Sequence, residues 1–304
     1  YIIYGGLTIL ETIFLLCGGM NFFESLVNSF ATAGTGGFTV VNSDFVSGTV
    51  VPFYSTYCQI VIAVFMLLFG VNFNLYFFLF IGKFKDFFKS EELRVYLIII
   101  FASTALITTN LMMQASQTFG YALRDSFFQV TSLMTTTGFA TVDYATWPVL
   151  SQTILFVVMF VGGCAGSTAG GIKVSRVIIL FKAFIREIDH SIHPNRVQKL
   201  KLEGQTIDDK TVHGVTSYFV LFIFLTAIGF LIVSLDNKPF TTSLSAVVAC
   251  INNVGPGFEL VSPIGNYGDF SVISKLVLIV MMLLGRLELY PLIMSLNPRV
   301  YFKK

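Results

Sequence analysis

Long apolar runs dominate the sequence and limit what the chain can fold into. About 20 consecutive apolar residues are enough to cross a lipid bilayer. Only 12% of the 304 residues are charged, about half of the usual share in soluble proteins. The uninterrupted runs are 1–20, 53–82, 93–113, 215–235 and 271–296, and a sixth, 148–185, is broken by GGCAGSTAGG at 162–171. The chain is therefore predicted to be an all-α polytopic membrane protein with one broken helix.

The basic residues predict the orientation of these helices. Most of the 19 Lys and Arg residues fall in three regions, 83–94, 173–210 and 299–304. By the positive-inside rule these regions face the cytoplasm. The connections predicted on the opposite side, which carry acidic residues and no Lys or Arg, are 40–52, 140–147 and 259–270.

Three further stretches are moderately apolar but too short to cross the bilayer. They are NFFESLVNSFAT (21–32), RDSFFQVTSLM (124–134) and FTTSLSAVVACI (240–251). Segments of this length are typical of re-entrant helices. Irregular backbone next to them is tolerated at membrane depth where it lines an aqueous cavity.

A Gly-containing segment follows each short stretch, and the three segments can be aligned. They are FATAGTGGF (30–38), SLMTTTGFA (132–140) and CINNVGPGF (250–258). Aligning Gly36, Gly138 and Gly255, with Gly37 as the alternative to Gly36, predicts tandem units of helix, pore loop and helix, as in potassium channels. The predicted units are 1–90, 91–190 and 214–304, with a basic cytoplasmic loop at 191–213.

The chemistry of such loops is specific. Backbone carbonyls from several loops around one axis can replace the water around a dehydrated cation. Glycine allows backbone angles that are closed to other residues, and we expect the threonines to place hydroxyl groups at the filter entrance. A single Gly/Thr segment could equally be an ordinary turn between helices, but three copies at matching positions favour the filter.

These residues resemble the Trk/Ktr/HKT potassium transporter superfamily, and within it the membrane subunits of bacterial Trk systems. The motifs that carry the resemblance span nearly the whole chain. They are TAGTGGFT (32–39), TTTGFATVDY (135–144), GGCAGSTAGGIKVSR (162–176), NNVGPGFE (252–259) and GRLELYPL (285–292).

The resemblance implies four pore units around one pore, with the first unit upstream of Tyr1 and the three seen here as the second to the fourth. It implies passage of K⁺, with Na⁺ as a second candidate ion, down its electrochemical gradient. The residues it implies for the K⁺ filter are Thr35, Gly36, Gly37, Thr136, Thr137, Gly138, Phe139, Asn253, Val254, Gly255 and Pro256.

The resemblance also implies the setting of the protein. This is a homodimer in the bacterial cytoplasmic (inner) membrane, bound by a cytosolic nucleotide-binding ring of the TrkA type. No covalent cofactor is implied, and NAD or ATP would act only through that ring. Nothing in the sequence predicts binding to nucleic acid.

The glycine-rich break at 162–171 has three interpretations. Its glycines make a stable helix unfavourable. It could be a patch of small residues for helix packing, or a phosphate loop, although Gly171 is followed by Ile172 rather than by Lys. The resemblance favours a third interpretation, an intramembrane gate beneath the filter. The gate residues it implies are Gly162, Gly163, Gly166, Ser167, Thr168, Gly170 and Gly171.

Two ionisable residues, Arg286 and Glu288, lie within the last apolar run. Such residues are costly in a membrane and usually face the bundle interior or a pore. Residues two apart on a helix do not face each other, so each needs a partner elsewhere. The resemblance implies that Arg286 is part of the gate and approaches the pore below the filter.

Two other functions compete with a gated filter. One is an ion-coupled secondary carrier with alternating access, although the repeats here run in the same orientation rather than inverted. The other is an intramembrane serine protease using Ser167, for which His190, His193 and His213 all fall in the cytoplasmic loop. The sequence therefore predicts a transporter and no enzyme.

Overall fold

The computed structural model describes residues 1–39, 55–193 and 199–287. These residues form twelve α-helices and one short β-hairpin. The helices are α1 (Ile2–Cys17), α2 (Phe22–Ala33), α3 (Thr56–Phe69), α4 (Phe73–Phe80), α5 (Phe84–Lys89), α6 (Glu91–Gln114), α7 (Phe119–Met134), α8 (Val149–Val161), α9 (Val174–Ile192), α10 (Asp209–Val233), α11 (Phe240–Ile251) and α12 (Val272–Arg286). Strands β1 (Lys201–Leu202) and β2 (Gln205–Thr206) pair antiparallel.

The order of helix, second helix, loop and third helix occurs three times and confirms the predicted fold class. We call the second helix of each unit its short helix; it has 12 residues in the first and third units and 16 in the second, where it begins five residues before the predicted stretch. In the first unit α1 is followed by α2 and α3, in the second α6 by α7 and α8, and in the third α10 by α11 and α12. Within each unit the short helix packs against the helix before it. Each short helix has a largely buried face in the interior of the bundle.

Several helices are suited to a membrane by length and composition. Glu91–Gln114 and Asp209–Asp236 are long and apolar enough to cross one, and the pair Thr56–Phe69 and Phe73–Leu79 would together form a third span. Many large apolar side chains on the outer faces are exposed, among them Ile98, Phe224 and Leu231. Such an outer surface matches lipid.

The described part of the second apolar run, 55–82, forms two helices instead of one continuous helix. Helices α3 and α4 meet at an angle of 96°. The bend lies at Gly70, Val71 and Asn72, where the Asn72 side chain accepts a hydrogen bond from the N–H of Asn74 and caps α4. Gly70 is thus the C-cap of α3, and Asn72 is the N-cap of α4.

The range predicted as a basic cytoplasmic loop, 191–213, contains helical and strand residues in its described part. Helix α9 continues to Ile192, α10 begins at Asp209, and the hairpin of β1 and β2 lies between them. The C-terminal basic residues, the outer connection 40–52 and Glu288 lie outside the described residues.

Candidate ion filter and intramembrane loop

The three Gly-containing loops have the same backbone hydrogen bonds. The second residue after each short helix has a positive φ, with values of 51° at Thr35, 55° at Thr136 and 57° at Asn253. Its N–H bonds to the carbonyl three residues back, at 3.1, 3.2 and 3.1 Å respectively. The next N–H, from Gly36, Thr137 or Val254, bonds to the carbonyl five residues back, at 2.7, 2.9 and 2.8 Å. The loops are therefore structural repeats.

This repetition corrects the register of the first copy. The positive-φ glycines at equivalent positions are Gly37 (67°), Gly138 (83°) and Gly255 (98°). Gly36 takes the position of Thr137 and Val254, so an alignment through Gly36 is shifted by one residue. Only the second glycine of the pair adopts the left-handed conformation, which favours glycine because it has no Cβ.

The loops lie beside one another in chain order. A methyl group on Gly37 would overlap the carbonyl oxygen of Thr137, and one on Gly138 would overlap that of Val254. On Gly138 it would also lie 3.2 Å from Cδ of Pro256. The glycines therefore permit close contact between the first and second loops and between the second and third.

Several loop carbonyls have no hydrogen-bond donor among the described residues. They include the carbonyls of Thr137 and Val254, and both residues are almost fully buried. Each oxygen faces a glycine of the adjacent loop, close enough that a Cβ on that glycine would overlap it. Buried backbone carbonyls are normally paired, so these oxygens have unused capacity to bind water or a cation.

Other carbonyls of the loops are bonded by side chains. The Ser132 hydroxyl donates to the Phe139 carbonyl at 2.5 Å. The Tyr267 hydroxyl donates to the Gly255 carbonyl at 2.6 Å. Burial raises the pKa of the Tyr267 phenol well above its ordinary value, so it stays protonated and able to donate. Tyr267 was not among the predicted site residues.

The polar side chains of the loops form hydrogen bonds with other groups of the protein. Thr137 shares a hydrogen bond of 2.9 Å with Thr135, and the Asn253 amide donates to the Met282 carbonyl at 3.1 Å. The Thr136 hydroxyl accepts the N–H of Gly170 at 2.6 Å. Whether the threonine hydroxyls also lie at a filter entrance stays a prediction.

The glycine-rich segment forms an irregular loop between α8 and α9, as the break in the sequence predicts. We call residues 162–173 the intramembrane loop. Its Gly162, Gly166 and Gly171 have positive φ values of 74°, 71° and 76°, and a Cβ on Gly163 would lie only 2.6 Å from that of Ala169. The helix cannot continue through these residues because the chain folds back on itself.

The intramembrane loop contacts all three Gly-containing loops, the candidate filter loops. Besides the Gly170 bond to Thr136, the Thr168 carbonyl accepts the Thr35 hydroxyl at 3.1 Å. A Cβ on Gly170 would lie 2.6 Å from the Asn252 carbonyl oxygen. The structure thus brings the predicted gate residues together with the predicted filter residues.

Arg286 lies at the same junction. Its guanidinium donates to the Thr168 carbonyl at 3.1 Å and to the Thr35 hydroxyl and the Gly34 carbonyl, both at 3.4 Å. Arg286 thus bonds both to the intramembrane loop and to the base of the first filter loop. A cavity of 280 Å³ adjoins Arg286. It is lined by residues of the intramembrane loop, including Lys173, and by Arg176, Tyr218 and Gly285.

The loop is also bonded to the bend between α3 and α4, which the sequence did not indicate. The N–H of Cys164 donates to the Gly70 carbonyl at 2.9 Å, and that of Phe73 donates to the Gly166 carbonyl at 3.2 Å. The Ser167 hydroxyl donates within the loop to the Cys164 carbonyl at 2.6 Å. The two broken helices therefore supply each other's missing backbone partners.

Fold and site together define a polytopic helical membrane protein in which successive pore-loop units meet around one cluster of glycines. A family model described as TrkH, cation transport protein, matches residues 2–299. The chain belongs to this family, which consists of transport proteins and not of enzymes.

Individual relatives agree with this assignment. The chain is 32% identical to the Trk system potassium uptake protein TrkH of Escherichia coli K12 over 302 residues, covering 98% of this chain and 61% of that protein. It is 33% identical to TrkH of Halomonas elongata, covering 99% and 61%. It therefore spans about three fifths of the length of these curated relatives.

A solved structure shows the same fold. The potassium transporter TrkH of Vibrio parahaemolyticus superposes with a TM-score of 0.88 at 31% sequence identity. The match covers 99% of this chain and 64% of that one.

Proposed function

We propose that this chain supplies part of the ion pathway of a Trk-type potassium uptake system. K⁺ passes down its electrochemical gradient along the backbone carbonyls of the filter loops, and the intramembrane loop gates that path. The observation that carries the proposal is the meeting of three loops with identical hydrogen bonding at Gly37, Gly138 and Gly255. The names of the relatives support K⁺ as the ion.

The unpaired carbonyls give the physical reason. A carbonyl left without a partner at membrane depth costs several kcal/mol, and the buried oxygens of Thr137 and Val254 have no donor among the described residues. A dehydrated cation would satisfy them, as carbonyl rings do in potassium channels. A cation bound by these carbonyls would therefore both stabilise the loops and be in position for conduction.

Selectivity is expected to be looser than in a fourfold symmetric channel. The third loop has Asn252, Asn253 and Val254 where the second has threonines, and Tyr267 bonds to one of its carbonyls. Loops that differ in this way cannot form an equivalent ring of oxygens. We therefore propose that Na⁺ also passes, less readily than K⁺.

The proposed gate consists of the intramembrane loop and Arg286. The loop lies against all three filter loops, and the arginine places a positive charge where a cation would leave the filter. We propose that in this arrangement the loop and the charge of Arg286 together close the path. Opening requires the loop to leave Thr136 and Arg286 to move with it.

The proposed setting is the bacterial inner membrane, with the basic regions in the cytoplasm. Contacts between these regions support a common side, since Ser90 bonds to Glu203 at 2.8 Å and Lys182 to Glu91 at 2.6 Å. We also propose a homodimer bound by a cytosolic ring of the TrkA type, through which NAD or ATP acts. The basic face would suit such a partner, and it would equally suit anionic lipid headgroups.

The direct test is ion flux by the purified protein in liposomes. K⁺, Rb⁺ and Na⁺ uptake would be compared at equal gradients, with and without the ring. We expect K⁺ and Rb⁺ uptake to exceed Na⁺ uptake without any second gradient. A strict requirement for an H⁺ or Na⁺ gradient would instead support the alternating-access carrier.

A further inference from the structure

A buried carboxylate outside the intramembrane loop bonds to both of its ends. Glu92 lies in the first turn of α6 and is 6% exposed. Its Oε1 accepts the N–H of Ala165 at 2.6 Å and the N–H of Ser175 at 3.1 Å. Ala165 lies near the start of the loop, and Ser175 lies in the first turn of α9 that follows it. One oxygen atom therefore links the two ends.

These bonds are of a strong kind. Hydrogen bonds to an ionised carboxylate are about twice as strong as those between neutral groups. The N–H of Ser175 is one of the first amides of α9, which have no partner within their own helix, and negative charge is favoured there.

A second carboxylate links Glu92 to the cytoplasmic hairpin. Glu203 lies in the turn between β1 and β2, with a φ of 53°. Its Oε1 accepts the Ser90 hydroxyl at 2.8 Å and the backbone N–H of Glu92 itself at 3.0 Å. The hairpin turn thus caps α6 at the residue that bonds to the intramembrane loop.

Lys182 adds a parallel connection between the same elements. This residue of α9 pairs with Glu91 at 2.6 Å and donates to the Lys201 carbonyl of β1 at 2.8 Å. The hairpin, the start of α6 and the start of α9 are therefore joined by charged side chains. These contacts connect the hairpin to the start of α6 and, through Glu92, to both ends of the intramembrane loop.

We propose that Glu92 is the positioning residue of the intramembrane loop and that Glu203 couples it to the hairpin. Displacement of the hairpin on the cytoplasmic side then releases the loop from the filter. The expected effect on ion uptake rests on the proposed role of the intramembrane loop as a gate, whereas the positioning of the loop does not. The two carboxylates do not touch the filter, so they set how often the path opens and leave selectivity unchanged.

The first test removes the acceptor. In Glu92→Leu the N–H groups of Ala165 and Ser175 lose their partner, and we expect hydrogen exchange in 163–176 to accelerate by about tenfold to a hundredfold. Rb⁺ uptake without any regulator should rise, with an unchanged ratio of Rb⁺ to Na⁺. In Glu92→Gln, which keeps a neutral acceptor and the shape of the side chain, both effects should be smaller but present.

The second test addresses the coupling. Glu203→Leu should accelerate exchange at the start of α6 and, to a lesser degree than Glu92→Leu, in the intramembrane loop. If the two carboxylates act in series, the double variant should resemble Glu92→Leu alone rather than the sum of both. Additive effects would mean that Glu203 is only a helix cap and would overturn the coupling.

Arg186→Gln is the matched control. Arg186 lies in α9, as Ser175 does, and the substitution removes its 2.8 Å ion pair with Asp209 of α10. We expect no change in hydrogen exchange in 163–176 and no change in Rb⁺ uptake. If folded Glu92→Leu matches this control in both measurements, or if it does not fold and Glu92→Gln matches the control, the positioning role is wrong. If no variant and no wild-type protein carries ions, the proposed function fails, while the exchange data still decide whether Glu92 positions the loop.

Discussion

Replacing Gly138 by alanine tests the filter most directly. Gly138 has a φ of 83°, and an L-residue in a left-handed conformation costs about 1–2 kcal/mol. The added methyl would also overlap the Val254 carbonyl oxygen and lie 3.3 Å from its carbon. Because both contacts are backbone, the two loops must move apart.

The expected loss of K⁺ uptake follows from the movement of the two loops away from each other. Misplacing positioned polar groups by about 1 Å costs about a hundredfold in rate, or about 2.7 kcal/mol. We therefore expect K⁺ uptake by Gly138→Ala in liposomes to fall by about that factor. Size-exclusion chromatography should show that the variant is still folded, since the backbone strain alone is small compared with the stability of a domain.

Gly82→Ala is the matched control for strain. Gly82 has a φ of 79°, but a Cβ there meets nothing within 4 Å. Both variants therefore carry the same backbone penalty, and only Gly138→Ala separates two loops. Equal K⁺ uptake by the two folded variants would refute the assignment of Gly138 to the filter.

Two further substitutions test groups around the filter. Arg286→Gln removes a positive charge from the exit, and K⁺ uptake should rise by about tenfold or more because charges a few Å apart interact by a few kcal/mol; unchanged uptake would exclude Arg286 from the gate. Tyr267→Phe removes the 2.6 Å hydrogen bond to the Gly255 carbonyl. It should lower stability by about 1 kcal/mol, measured by thermal unfolding, and reduce the ratio of Rb⁺ to Na⁺ uptake, whereas an unchanged ratio would show that the bond does not shape the filter.

Local patterns were sufficient to predict most of the helices. The short helices at Phe22–Ala33, Phe119–Met134 and Phe240–Ile251 overlap the stretches chosen for their modest length and polarity. The glycine-rich break was equally visible, because several glycines in succession cannot hold a helix. These features depend on composition over a few residues, which the sequence displays directly.

Features that depend on distant contacts were missed. The sequence does not distinguish Gly36 from Gly37, since only the approach of Thr137 shows which of them adopts a positive φ. The two-residue strands of the hairpin are too short for any periodic signal. Glu92 and Glu203 are unremarkable acidic residues until the fold brings them together.

The paired breaks at 70–73 and 162–173 also constrain how the protein is made. The Thr168 hydroxyl lies 3.5 Å from the Phe69 carbonyl across 99 residues of sequence, and the Gly70 carbonyl finds its donor in Cys164. While the ribosome is still synthesising the second unit, the bend has no partner and would expose unpaired backbone to lipid. During insertion, therefore, α3 and α4 should favour one straight helix, and the bend should form only when the later loop arrives.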